Sequence, residues 1–124
     1  MPKNIRIATR KSPLALWQAR KVSELLKNID NSINIELVKI TTSGDKILDK
    51  PLYDIGGKSL FLKELEQALL NNDCDIAVHS MKDMPAELHE DLTISAILER
   101  EDSRDVLISK KHHSLADFTS TSSL

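Results

Sequence analysis

A single cysteine, Cys74, rules out an internal disulfide and any multi-cysteine zinc or iron–sulfur site, which suits a reducing cytosol. An excess of one charge sign is also missing, since 17 Lys+Arg stand against 19 Asp+Glu for a formal net charge of -2. Without a polyelectrolyte signal, nucleic acid is not favoured as a partner. No apolar run approaches the roughly 18 residues of a membrane span, and Met1-Pro2-Lys3-Asn4 lacks the apolar stretch of a signal peptide. No repeat is visible, and the terminal Ser/Thr tract is too brief for a low-complexity domain. Two adjacent histidines, His112 and His113, read as a solvated loop, because without further ligands they make a poor metal site. The expectation is a cytoplasmic chain with no metal, membrane or nucleic acid, its 124 residues forming one domain at most.

What is present is an alternation of strand and helix patterns. Ile5-Arg6-Ile7-Ala8-Thr9 reads as a strand, and Ser12-Pro13 supplies an N-cap hydroxyl followed by a first-turn proline. In the helix that starts there, Leu14, Trp17, Val22, Leu25, Leu26 and Ile29 form the apolar face expected to pack on a sheet. After a polar turn at 28–34, Ile33 to Ile40 has the pattern of a second strand. The stretch 41–58 is broken by glycine, proline and aspartate, and a loop of that length is expected to be functional or mobile. Ser59 can cap a second helix with Leu60, Phe61, Leu65, Ala68, Leu69 and Leu70 on its apolar face, ended by Asn71-Asn72-Asp73. Leu92 to Leu98 and Asp105 to Ser109 read as further strands around the charged run 99–104.

The order β-α-β-α-β predicts an α/β fold with a mainly parallel sheet flanked by helices. Its third strand is the most informative segment. Ile76, Ala77 and Val78 read as a central, buried strand, and His79, Ser80, Lys82 and Asp83 follow directly. Ligands of open α/β sheets bind beyond the carboxyl ends of the strands, so a site is expected there. Pro85 biases Met84 towards extended geometry, which keeps Lys82 and Asp83 in a loop.

Each candidate group has a plain competitor. Arg10, Lys11 and Ser12, where a strand meets a helix start, suit a carboxylate or phosphate, or serve only as a capped helix. Gly56-Gly57-Lys58-Ser59 looks like a phosphate loop but lacks the earlier glycine at the required spacing. Asp83 and Lys82 are a surface ion pair or a catalytic or ligand-binding pair, and placement at a strand end favours the second. His79 reads as a satisfied, partly buried histidine.

Four ordered blocks bring a family into view. Ile7 to Ala19 resembles the opening of hydroxymethylbilane synthase, also called porphobilinogen deaminase. Gly56 to Glu66 is similar to its loop-and-helix segment, Asp75 to Pro85 to its catalytic strand end, and Glu99 to Asp105 to a further characteristic run. The resemblance implies a three-domain transferase of tetrapyrrole (porphyrin and haem) biosynthesis, usually monomeric, whose first two domains are like type-II periplasmic binding proteins. Residues 1–98 would be most of the first catalytic domain, and 99–124 the hinge and truncated beginning of the second. Such an enzyme joins four porphobilinogen molecules head to tail, releases ammonia at each step and frees hydroxymethylbilane.

By that similarity Asp83 is the catalytic carboxylate, which stabilises the azafulvene cation formed as ammonia leaves and accepts the pyrrole N–H. Arg10, Ser12 and Lys82 would hold carboxylates of porphobilinogen and the growing pyrrole chain, and Ser80 would be a further substrate- or cofactor-binding residue. Lys58 and Phe61 match positions near the cofactor and a mobile loop, and Thr121, Ser122 and Ser123 match a cofactor-contacting run. The family's dipyrromethane cofactor sits on a cysteine of the third domain, which Cys74 does not match. The paired arginines that follow the Thr-Ser-Ser-Leu run in the family are absent, and the junction from Asp117 to Thr121 is shorter than the family's. The chain is therefore expected to be an N-terminal portion, inactive alone. The competing reading is a non-catalytic module for small dicarboxylates, built on Arg10, Ser12 and Lys82.

Overall fold

The computed structural model describes residues 3–46, 60–111 and 113–117. These divide into two units, 1–93 and 94–124. In the first unit, β1 (Asn4–Arg10), α1 (Pro13–Ile29), β2 (Asn34–Ile40), α2 (Ser43–Lys46), α3 (Lys63–Leu70) and β3 (Ile76–Ala77) follow in order. The three strands form one sheet in the order β2-β1-β3, and both pairings are parallel. The α/β class and the parallel sheet agree with the sequence reading.

The centre of the sheet is β1, not β3. Asn4 through Arg10 pair with Asn34 through Ile40 on one side, while Ile7 and Ala8 pair with Ile76 and Ala77 on the other. With one neighbour among the described residues, Ile76, Ala77 and Val78 are only half-buried. The strand fully enclosed is the one that takes a ladder on both edges, and Ile7, Ala8 and Thr9 are each 0 % exposed.

Successive side chains of β1 project to opposite faces, which explains why helices cover both. Ala8 joins Leu65, Ala68 and Cys74 in the core on the α3 side, with Val38, Ile40, Leu69 and Ala77 packed against them. On the other face the Thr9 hydroxyl donates to the Ala15 carbonyl of α1 at 3.2 Å. The face of α1 that packs is therefore a stripe of small residues, Ala15 and Ala19, whose size permits so close an approach. The expected face is turned outward in large part, with Leu14 57 %, Trp17 51 % and Ile29 81 % exposed.

Helix starts divide in the same way. Ser12 is extended, with its Oγ accepting from the Ala15 amide and Pro13 in the first turn, as its sequence predicts. By contrast, α3 begins at Lys63 behind Leu62, with no capping side chain. Leu60, Phe61 and Leu62 form a turn, because the Phe61 backbone and ring are both engaged elsewhere; Ser59 lies outside the described residues. The helix ends at Asn71 as expected, and Asn72 turns the chain at φ 60°. The expected irregular loop starts as an ordered turn, α2, with Thr42 fully buried and Gly44 buried.

In the second unit the described residues hold one 3-10 turn, Leu115–Asp117. Leu92 to Leu98 and Asp105 to Ser109, expected as strands, form none. A strand exists only through a ladder of hydrogen bonds to a neighbouring strand, and no such ladder runs along these segments among the described residues. Ile97, Val106 and Ile108 accordingly stand exposed. No helix among the described residues is long and apolar enough to cross a membrane.

Candidate functional site

Because β1 and β3 run parallel as neighbours, their carboxyl ends open on the same edge of the sheet, where the Val78 amide still donates to the Ala8 carbonyl at 3.2 Å. A shallow, open cleft lies there, and its walls include Arg10, Ser12, Gln18, His79, Ser80 and Asp83. The residues after β1 and those after β3 thus meet although some seventy positions separate them. A second hollow, at the amino ends of β1 and β2, is lined by Asn4, Ile5, Arg6, Asn34, Ile35 and Glu36. Its one cation, Arg6, is held by both oxygens of Asp75.

Arg10 ends β1 and is fixed from two directions. Its Nη2 and Nε donate to the Asp45 carboxylate at 2.5 and 3.2 Å. Its Cζ stands 3.9 Å from the centroid of the Phe61 ring, the geometry of a cation–π contact. The Arg10 hydrogen bonds, opposed by partial burial and reinforced by the Thr42 hydroxyl and amide, hold the Asp45 carboxyl down at about 2.

Asp83 follows β3 in a 3-10 turn, Met81–Asp83, whose brevity reflects the extended Met84 imposed by Pro85. Its Oδ2 lies 3.9 Å from Nδ1 of His79. His79 is nearly buried, and its Nε2 sits 2.8 Å from the Phe61 carbonyl oxygen. The satisfied histidine of the sequence reading is what the fold contains.

Ser80 exchanges hydrogen bonds with the Gln18 side-chain amide at 3.0 and 3.3 Å. Lys82 is exposed and does not line the cleft. Lys58, Thr121, Ser122 and Ser123 lie outside the described residues. Asp45 and Gln18 were not anticipated. Gln18 could have been found as the polar residue beside the Ala15 and Ala19 stripe, whereas nothing near Asp45 in sequence connects it to Arg10. Among the described residues, no group of three or more His, Cys, Asp or Glu could hold a metal ion.

A parallel α/β unit with a carboxylate and a guanidinium on one cleft beyond its strand ends has the arrangement in which open α/β sheets place ligand sites. The family model "Porphobilinogen deaminase, dipyromethane cofactor binding domain" matches residues 5–124, and the chain belongs to the porphobilinogen deaminase family. It is 59% identical over 117 residues to the porphobilinogen deaminase of Rickettsia bellii, covering 94% of this chain and 39% of that protein. The corresponding enzyme of Rickettsia canadensis is 57% identical over 117 residues, with the same shares covered. That of Syntrophomonas wolfei is 56% identical over 115 residues, covering 93% of this chain and 38% of the relative. The chain thus spans about 39% of the length of these curated relatives.

Proposed function

We propose that this chain is the part of a cytoplasmic hydroxymethylbilane synthase that carries the catalytic carboxylate, acting in the head-to-tail condensation of porphobilinogen with loss of ammonia. In this reading residues 1–98 are most of the first catalytic domain and 99–124 lead to a second. The observation that carries it is the presence of Asp83 and Arg10 on one cleft at the carboxyl ends of adjacent parallel strands. Porphobilinogen has a pyrrole N–H, acetate and propionate groups, and a leaving amine. A cation develops on its ring as ammonia departs, and a fixed carboxylate at Asp83 offsets that charge while accepting the N–H. Arg10, Ser12 and Ser80 supply the complementary donors for carboxylates, joined from outside the cleft by Lys82.

The same donor set fits dipyrromethane, two linked pyrroles with carboxylate arms. Arg10 and Ser80 would hold its carboxylates and Asp83 its N–H groups, with Lys58, Thr121, Ser122 and Ser123 assigned by family resemblance. When bound, dipyrromethane supplies the primer to which porphobilinogen units are added. What this chain's residues contribute is orientation of carboxylates and placement of one negative charge.

The test joins this chain to the remaining part of the Rickettsia bellii relative and compares Asp83 with Asp83→Asn. Asparagine keeps the size and most hydrogen bonding but removes the charge. The expected loss of turnover is on the order of a hundredfold, the usual cost of deleting a preorganised electrostatic partner. Turnover within a few-fold of the parent would refute the assignment.

A further inference from the structure

Arg10 stands in the cleft with much of its bonding capacity already committed. One edge of the guanidinium, Nε and Nη2, is taken by Asp45, and its face is covered by Phe61. Among the described residues the other edge, Nη1 with the second Nη2 hydrogen, meets no partner. Asp45 in turn has little freedom, because its Oδ2 accepts from both the amide and the hydroxyl of Thr42 at 3.2 and 2.7 Å. Thr42 is fully buried. Phe61 is held just as closely. A Cβ at Gly44 would collide with its ring, so only glycine lets the ring settle over Arg10, and its carbonyl is tied to His79.

We infer that Asp45 is a specificity-determining positioning residue: together with Phe61 it leaves Arg10 only its end edge, Nη1 and the second Nη2 hydrogen, to offer a ligand carboxylate. This rests on the reading that ligand carboxylates come to Arg10. An arginine with a free edge grips any carboxylate by two parallel hydrogen bonds, whatever molecule carries it. With Nε and one Nη2 hydrogen held by Asp45, Arg10 can do so only end-on, through Nη1 and the second Nη2 hydrogen. The ion pair also cancels most of its long-range pull. What remains is donation from one edge held in a fixed direction, which rewards a ligand able to reach Arg10 and Asp83 at once. Simple dicarboxylates, able to use Arg10 but offering nothing to a second carboxylate, are disfavoured.

The experiment uses the full chain and its Asp45→Asn, Asp45→Glu and Gly44→Ala variants. Calorimetric titration with porphobilinogen and with succinate gives the preference of each, and a ratio cancels any general change in charge. The Arg10 Nε–H resonance, recorded without ligand, reports the Asp45 contact separately. In Asp45→Asn the hydrogen-bonded Nε–H signal is expected to lose its exchange protection. The preference for porphobilinogen over succinate should fall about tenfold, with partial recovery in Asp45→Glu. Gly44→Ala, which displaces Phe61, should lower the preference while the Nε–H signal persists. Unchanged preference in Asp45→Asn and Gly44→Ala, with the β1 amide signals intact, overturns the proposal. A protected Nε–H in Asp45→Asn does so as well. If the parent chain binds neither compound, the functional reading of the cleft fails; the Nε–H comparison then still upholds or overturns the positioning of Arg10 by Asp45.

Discussion

Nε2 of His79 lies 2.8 Å from the carbonyl oxygen of Phe61, eighteen residues earlier in the chain. A carbonyl only accepts, so the proton of this bond belongs to Nε2. Through it the residue after β3 holds the turn before α3, and the Phe61 ring in that turn covers Arg10 at the end of β1. Three parts of the unit are joined at the cleft by one nearly buried imidazole.

His79→Ala should therefore cost more than removal of an exposed histidine. The variant loses the hydrogen bond and leaves a partly buried carbonyl without its donor, a penalty of about 1–3 kcal/mol. His113→Ala, at an exposed position, should stay within about 0.5 kcal/mol of the parent. Urea denaturation of the two variants decides this, and equal midpoints would count against the structural role of His79.

The second prediction concerns acid stability. Asp45 is held at about 2 against an ordinary 3.8, so the native form releases its proton more readily than the unfolded chain. The stabilisation is complete above about pH 4 and is lost as pH falls towards 2. For this partly exposed pair it amounts to about 1–2 kcal/mol after solvent screening. Asp30, Asp75 and Glu64 are lowered as well and add acid sensitivity of the same sign. The informative quantity is thus the difference between the parent and Asp45→Asn, which should shrink from pH 5 to pH 2. A difference constant over that range would contradict it.

The third prediction is that the chain alone does not sustain formation of hydroxymethylbilane. Catalysis by proximity needs the reacting carbon held opposite the carboxylate, and such organisation lowers barriers by several kcal/mol. This chain supplies Asp83 and Arg10, within a span of about 39% of its relatives' length. Cys74 is a poor substitute anchor, being buried, with its thiol pushed up by desolvation. Ammonia release and intact protein mass after incubation with porphobilinogen are the measurements. Continuous product, or a stable dipyrromethane-sized adduct on Cys74, would overturn the expectation.

The sequence by itself determined the alternation of strands and helices, the Ser12 cap, the stop at Pro85 and the position of His79, Ser80 and Asp83 just beyond a strand end. These depend on local backbone chemistry and on short-range periodicity, both of which a linear chain displays. Only the tertiary structure decided that β1 is the central strand, that α1 packs through Ala15 and Ala19, and that Phe61 leaves its helix. It likewise decided that Asp45 grips Arg10 and that Gln18 meets Ser80. Burial is settled by which surfaces approach closely enough to exclude water, and a small residue at such a contact leaves no apolar signal in the sequence. The pairing of Arg10 with Asp45 joins residues 35 positions apart through the parallel stacking of β1 on β2 and the turn that follows it. Neither residue carries any local mark of the other, because their contact is a property of the folded sheet.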